Sequence, residues 1–306
     1  MLAFAVVPWG NLFPIDLNVG VLFIVAVSSV HVLGFLMAGW GSNNKFSLLG
    51  GMRGVAQLIS YEIPQVMSLV AIVMWVGSMS LKDIVDHQSG WYGMAWHAFT
   101  PVGFLAMMLF FIASLAEGER SPFDIPEADS EIVAGHLTEY GGMKFAVFYL
   151  ANYLTNLLIA FVTTIVFLGG GYGPGVSPNG GILSDLLSLV YFLGKSMFLF
   201  FVMVWIRGVV PRLRVDQLMG FAWKFLLPLA LVNIFTAGIW IAITRWGTAQ
   251  GLSFLEGLDS TTRLAIAFGV TLIINGGAFL LVYLINQRSA PNEEYLAEEP
   301  ALGVAG

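Results

Sequence analysis

The chain has 306 residues, of which 58% are hydrophobic and only 10% charged, with 24 Phe and 9 Trp. That composition belongs to a polytopic membrane protein and excludes a soluble domain. A net charge of −6 without any basic stretch argues against nucleic acid, and the absence of Cys excludes disulfides, thiolate metal sites and cysteine-ligated iron–sulfur clusters.

Apolar runs of about twenty residues mark spanning helices. Seven are predicted, over 17–39, 60–79, 101–118, 144–168, 187–209, 222–245 and 263–286. The expected fold is all-α and polytopic: a single transmembrane domain over 1–286 and an acidic, disordered tail over 287–306. No signal-peptide pattern and no internal repeat are evident. With the N-terminus outside, nine Lys and Arg fall on inner loops and three (Lys82, Arg245, Arg263) on outer ones. The bias places the inner loops and the C-terminus in the cytoplasm.

The opening residues, with Pro8, Gly10 and Pro14, read as an apolar remnant and an outer turn. The first span carries His31, to which no role is assigned. The four His (31, 87, 97, 136) lack metal-ligand spacing, so no metal site is expected. Past the first span, Arg53, Gln57, Ser60 and Glu62 lie on a continuing helix. Glu62 enters an apolar run just before Pro64, and a proline frees a backbone carbonyl and invites water. A carboxylate there can hold or release a proton, or it can simply reach back to Arg53 or Lys45.

Between the third and fourth spans lies AEGERSPFDIPEADSEIVAGHLTEYGGMK, residues 116–144. It holds seven of the nineteen carboxylates: Glu117, Glu119, Asp124, Glu127, Asp129, Glu131 and Glu139. Such a cluster beside a bilayer is costly unless it is wet, paired or protonated. Asp124 and Glu127 have the spacing of a helix N-terminal capping box, with Pro126 in the first turn, so a short helix is expected over 126–139. The stretch is either a solvated acidic loop or a wall that faces a ligand or handles protons.

The fourth span carries a polar stripe of Tyr149, Asn152, Tyr153, Thr155 and Asn156 that should face protein or water. Lys195 lies within the fifth span, as a functional group or a structural ion pair. Arg207, Arg212 and Arg214 form the largest basic group, suited to anionic lipid or to the acidic loop.

Residues 116–140 resemble the signature of the quinone-binding membrane subunit of respiratory complex I, known in bacterial NADH–quinone oxidoreductases as the H subunit. The family pattern runs roughly AExxRxPFDxxExExELVxGxxxEY, with Asp129 standing here where Glu is usual. Residues 38–62 and 205–224 are similar to the family as well, with Val215 replacing a usual Tyr. Asn152 replaces a usual Glu. The likeness runs from about residue 5 to residue 286. Family members normally begin with a further helix, an amphipathic basic helix and the rest of a second span, and Met1 corresponds to a point partway along that span.

The resemblance implies a subunit that couples quinone reduction to proton translocation in the bacterial inner membrane. Arg120, Phe123, Asp124, Glu127 and Asp129 would line the quinone chamber. Glu62, Glu117, Glu131 and Glu139 would begin a proton path. Arg212 and Arg214 would balance charge and dock a partner. Quinone would be the substrate, while NAD(H), flavin and iron–sulfur clusters would reside in partners, the other membrane-arm and peripheral-arm subunits. Two alternatives stand beside this: the membrane anchor of an ion-pumping hydrogenase and a proton-coupled carrier.

Overall fold

The computed structural model describes residues 2–11, 14–90, 94–119, 122–124, 135–176, 181–244 and 259–288. Among these the regular elements are all helices. They are α1 (Gly20–Gly41), α2 (Lys45–Val76), α3 (Leu81–His87), α4 (Pro101–Glu117), α5 (Met143–Phe167), α6 (Gly181–Val209), α7 (Val215–Thr244) and α8 (Ser260–Arg288). By length and apolar composition, six of them can cross a membrane: α1, α2, α5, α6, α7 and α8.

The third predicted span is α4, which has only 17 residues. At 1.5 Å per residue that is about 25 Å, short of a full hydrocarbon core. Local chemistry sets both ends. Thr100 Oγ1 accepts from Gly103 N at 3.2 Å and Pro101 starts the helix, while Gly118 ends it. Three starts lie six or more residues before those of the predicted spans. α2 begins at Lys45, so it contains both the helix expected over Arg53–Glu62 and the span predicted from 60; Asn44 caps it (Oδ1 accepts from Phe46 N, 3.1 Å), and its polar first half is packed against protein. α6 begins at Gly181 rather than 187, and α7 at Val215 rather than 222. α7 relaxes into a π turn over Ala222–Leu226.

The helix α2 is the centre of the molecule, packing on α1, α4 and α7. It meets α1 at glycines: a Cβ on Gly39 would stand 3.1 Å from Gly51 Cα. Small residues bring two membrane helices to backbone contact. Pro64 sits inside α2 without ending it. The side of α2 turned to protein buries Gln57, Ser60, Tyr61, Gln65 and Ser68.

Two apolar clusters fill the interior. One, at the α3 end, includes Ile72, Trp75, Phe110, Phe161 and Phe167. The other, at the acidic end, includes Tyr61, Leu115, Phe123, Leu218 and Leu226. The opening residues belong to the first cluster: Val6 and Val7 are buried in it, and Trp9 packs edge-on against Phe161 at 5.3 Å. Lys195 is structural. Its Nζ donates to the carbonyls of Leu168 (2.8 Å), Gly170 (3.2 Å) and Tyr172 (2.7 Å), just past the end of α5. A cation at a helix C-terminus satisfies carbonyls that have no partner within the helix.

Candidate functional site

The C-terminal end of α4 delivers the first part of the acidic stretch into a buried polar cluster. Glu117 is its centre. Gln65 Nε2 donates to Glu117 Oε2 at 2.6 Å and to Ser114 Oγ at 3.2 Å. Gln65 reaches it because α2 and α4 lie side by side and Ser114 is one turn before Glu117 on α4. Glu62, three residues before Gln65 on α2, is partly buried and close enough to Glu117 for the two carboxylates to interact electrostatically. Glu62 and Glu117 are thus brought together.

Just beyond Glu117 the backbone turns sharply. A Cβ on Gly118 would meet Asn156 Oδ1 at 2.3 Å, so any larger residue would displace the Asn156 side chain. Asn156 Nδ2 donates to Gly118 O at 3.3 Å and to Asn152 O at 2.7 Å. Glu119 follows in the left-handed region (φ +50°), which costs a non-glycine residue about 1 kcal/mol or more. Glu119 is buried, and its Oε2 accepts from Asn152 Nδ2 at 3.3 Å. The polar stripe of α5 is therefore divided. Asn152 and Asn156 face the turn after α4, while Tyr153 is exposed.

Residues 122–124 are clamped from two sides. Gln57 Nε2 donates to Phe123 O at 2.7 Å and to Ala116 O at 2.8 Å. From the α6–α7 loop, Leu213 N donates to Pro122 O at 3.2 Å and Arg212 Nη2 donates to Asp124 O. Arg212 thus meets the acidic stretch through a main-chain carbonyl. Phe123 is buried and packs edge-on against Tyr61 at 5.5 Å, and Tyr61 OH donates to Leu218 O at 2.9 Å. Arg214 precedes α7, where its N–H donates to Gln217 Oε1 at 3.4 Å. A cavity of about 300 Å³ lies between α2 and α7, with Arg53 and Gln57 on its wall.

Glu139 stands apart from this cluster. It is exposed, and its Oε1 accepts from Asn44 Nδ2 at 3.1 Å at the α1–α2 turn. Tyr140 OH pins the same turn through Ala38 O at 3.0 Å. The expected helix over 126–139 does not reach its predicted end: Gly135–Leu137 is a single 3-10 turn, opened by Gly135 at φ +54°. Arg120, Glu127, Asp129, Glu131 and the tail beyond 288 lie outside the described residues.

Gln57, Gln65, Glu119 and Asn156 complete the cluster and carry no role in the sequence reading. Two of them had a signal: a buried amide inside an apolar helix needs a partner, and Gln65 lies one turn from Glu62. Glu119 and Asn156 are legible only as members of the acidic stretch and of the polar stripe of the fourth span, since their contacts depend on how α4 ends.

The opposite end of the molecule carries a second polar group. Gln88 Nε2 donates to the carbonyls of Ile84, Ile165 and Val166. His97 Nδ1 donates to Val166 O at 2.8 Å, because a carbonyl can only accept, and neutral His97 then presents Nε2 to His87 Nδ1 at 3.1 Å. Burial, opposed by the Val166 bond and reinforced by the charge of His87, lowers His97 to about 4. Among the described residues no three His, Cys, Asp or Glu are grouped as a metal site would need.

Helices that bury a carboxylate–amide cluster at one end define a polytopic membrane protein with a polar centre in its interior. A family model described as NADH dehydrogenase matches residues 1–238. The H subunit of NADH-quinone oxidoreductase from Dehalococcoides mccartyi is 43% identical over 277 residues, covering 90% of this chain and 71% of that protein. The H subunit from Chlorobaculum tepidum is 45% identical over 248 residues, covering 78% and 69%, and that from Chlorobium luteolum 45% over 249 residues, covering 78% and 67%. The chain belongs to the NADH dehydrogenase family.

Proposed function

We propose that the chain is the membrane-arm subunit of an NADH–quinone oxidoreductase that helps form the quinone chamber and begins the proton path. The buried Glu117, held by Gln65 with Glu62 beside it, is the observation that carries this reading. A carboxylate inside apolar protein is retained against a cost of several kcal/mol, on the order of that for any poorly solvated charge, and such residues mark ion routes.

Reducing a quinone to quinol takes up two electrons and two protons. The accompanying change of charge acts strongly on nearby carboxylates where the dielectric is low. The residues 120–131 supply the chamber wall, with Arg120, Phe123, Asp124, Glu127 and Asp129 toward the quinone. Gln57 and the α6–α7 loop hold the near end of that wall in place. Glu62, Glu117 and Glu131 carry protons inward, and Glu139, which is exposed, meets solvent. Arg212 and Arg214 position the wall and meet a partner subunit. Electrons arrive from clusters in partner subunits, which also hold NAD(H) and flavin. The chain lies in the bacterial inner membrane, with the acidic end and C-terminus cytoplasmic.

A photoreactive quinone analogue added to the assembled complex tests the chamber. Labelling within 120–131, displaced by excess quinone, is expected. Labelling confined to other subunits would overturn the assignment.

A further inference from the structure

A cavity of about 410 Å³ lies between α1 and α5, floored by α2 and α4. Its walls are mostly apolar, yet five polar side chains reach it: Ser28, His31, Gln65, Glu117 and Thr155. Ser28 and Thr155 spend their hydroxyl protons on carbonyls of their own helices, and Gln65 spends its amide on Ser114 and Glu117. His31 is different. Its Nδ1 is buried and has no hydrogen-bond partner among the described residues, while its ring packs edge-on against Phe35 at 5.5 Å.

A buried imidazole nitrogen left unpaired costs about 1–3 kcal/mol. Nδ1 itself has almost no accessible surface, so water in the cavity meets the ring elsewhere, and the cavity is many times the roughly 30 Å³ that one water occupies. Among the described residues, His31 and Glu117 are the only titratable groups on the cavity wall, one from α1 and one from α4. α2 contributes Gln65, with Glu62 near Glu117, and α5 contributes no titratable group.

We propose that His31 is a protonatable station that exchanges a proton with Glu117 through water held in this cavity. The proposal rests on the reading of Glu117 as a proton carrier. In one passage the Glu117 carboxyl gives its proton to a water, and that water gives one to the His31 imidazole through Nε2, the nitrogen not buried. A carboxylate and an imidazolium result, and the reverse transfer restores both. Imidazole suits the task because it changes charge between about pH 5 and pH 8. The station also gives the path an entry from α1, which the carboxylates of the acidic stretch do not supply.

The test is proton translocation per electron by the assembled complex in sealed vesicles, measured from about pH 5 to about pH 8, the range over which imidazole titrates. Four variants are compared: His31→Gln, His31→Phe, His31→Glu and Glu117→Gln. His31→Gln can hold water but carries no proton, so it and His31→Phe should lower the ratio at least twofold. His31→Glu restores a protonatable group and should recover most of it, with a shifted pH profile. Full translocation in His31→Gln while Glu117→Gln is impaired overturns this inference and leaves the carboxylate path standing. An equal loss in His31→Glu and His31→Gln makes His31 a packing residue and also overturns it. Full translocation in both His31→Gln and Glu117→Gln removes the path as well. Infrared spectra give a second measure. The carboxyl band that Glu117→Gln abolishes should shift in His31→Gln, and an unmoved band contradicts the water link.

Discussion

Gln65 donates to Glu117 at 2.6 Å across the interface of α2 and α4. That one bond ties the central helix to the start of the acidic stretch and fixes where the carboxylate points. Gln65→Leu removes the donor and leaves the carboxylate inside apolar surroundings. We expect a loss of about 1–3 kcal/mol, read as a lower Tm of the assembled complex. Gln65→Glu should be worse, because it sets a third carboxylate beside Glu62 and Glu117.

Asn152 is the second amide at the site, and its partner is Glu119 at 3.3 Å. An amide cannot take up or release a proton near neutral pH, but it holds a carboxylate or a water. Asn152→Leu should lower proton translocation per electron while leaving assembly intact. Asn152→Asp puts a second carboxylate against buried Glu119, so one of the pair should remain protonated at neutral pH, visible as a new infrared carboxyl band. Unchanged translocation in Asn152→Leu would show that α5 stands outside the path.

Gly118 is a steric prediction. A Cβ there lies 2.3 Å from Asn156 Oδ1, so Gly118→Ala drives the Asn156 side chain off its two carbonyls. A destabilisation of about 1–2 kcal/mol should appear in thermal unfolding. The double variant Gly118→Ala with Asn156→Ala should recover the space and part of that loss. Equal Tm values for Gly118→Ala and the unaltered protein would mean that the turn is looser than the packing implies.

His97 makes the opposite end acid-sensitive. Its ordinary value of 6.5 falls to about 4 in the folded protein, so the unfolded chain binds the extra proton first. Stability from this group is therefore present above about pH 6.5 and is lost as pH falls toward 4, by about 3 kcal/mol in all. His97→Gln should flatten the change in Tm over that window, and an identical pH profile in the variant would contradict the assignment.

Much of this is legible in the sequence, for physical reasons. Hydropathy marks helices that face lipid, so each of the seven predicted spans corresponds to a helix, six of them long enough to cross. The acidic stretch stands out because seven carboxylates together are rare in such a composition. The first half of α2 escapes hydropathy because its buried face carries Ser47, Gln57 and Ser60, which read as polar although they pack on protein. The shortness of α4 is hidden because hydropathy does not see where Thr100 and Gly118 set its ends. Which amide partners which carboxylate cannot be read. Gln65 and Glu117 are 52 residues apart and Asn152 and Glu119 are 33 apart, and only the packing of α2, α4 and α5 makes them neighbours.

The arginines of the α6–α7 loop can be separated from mere lipid anchors. Arg212 grips the acidic stretch at Asp124 O, so Arg212→Glu should impair quinone turnover or assembly more than Lys82→Glu, a charge reversal at the opposite end. Equal effects would favour lipid anchoring.

The central claim is that Glu117 carries protons, and Glu117→Gln tests it most directly. The substitution keeps shape and a hydrogen-bonding group but cannot be protonated or release a proton near neutral pH. In sealed vesicles containing the assembled complex, protons moved per electron should fall at least twofold while the complex stays intact. An unchanged ratio with normal turnover would contradict the account.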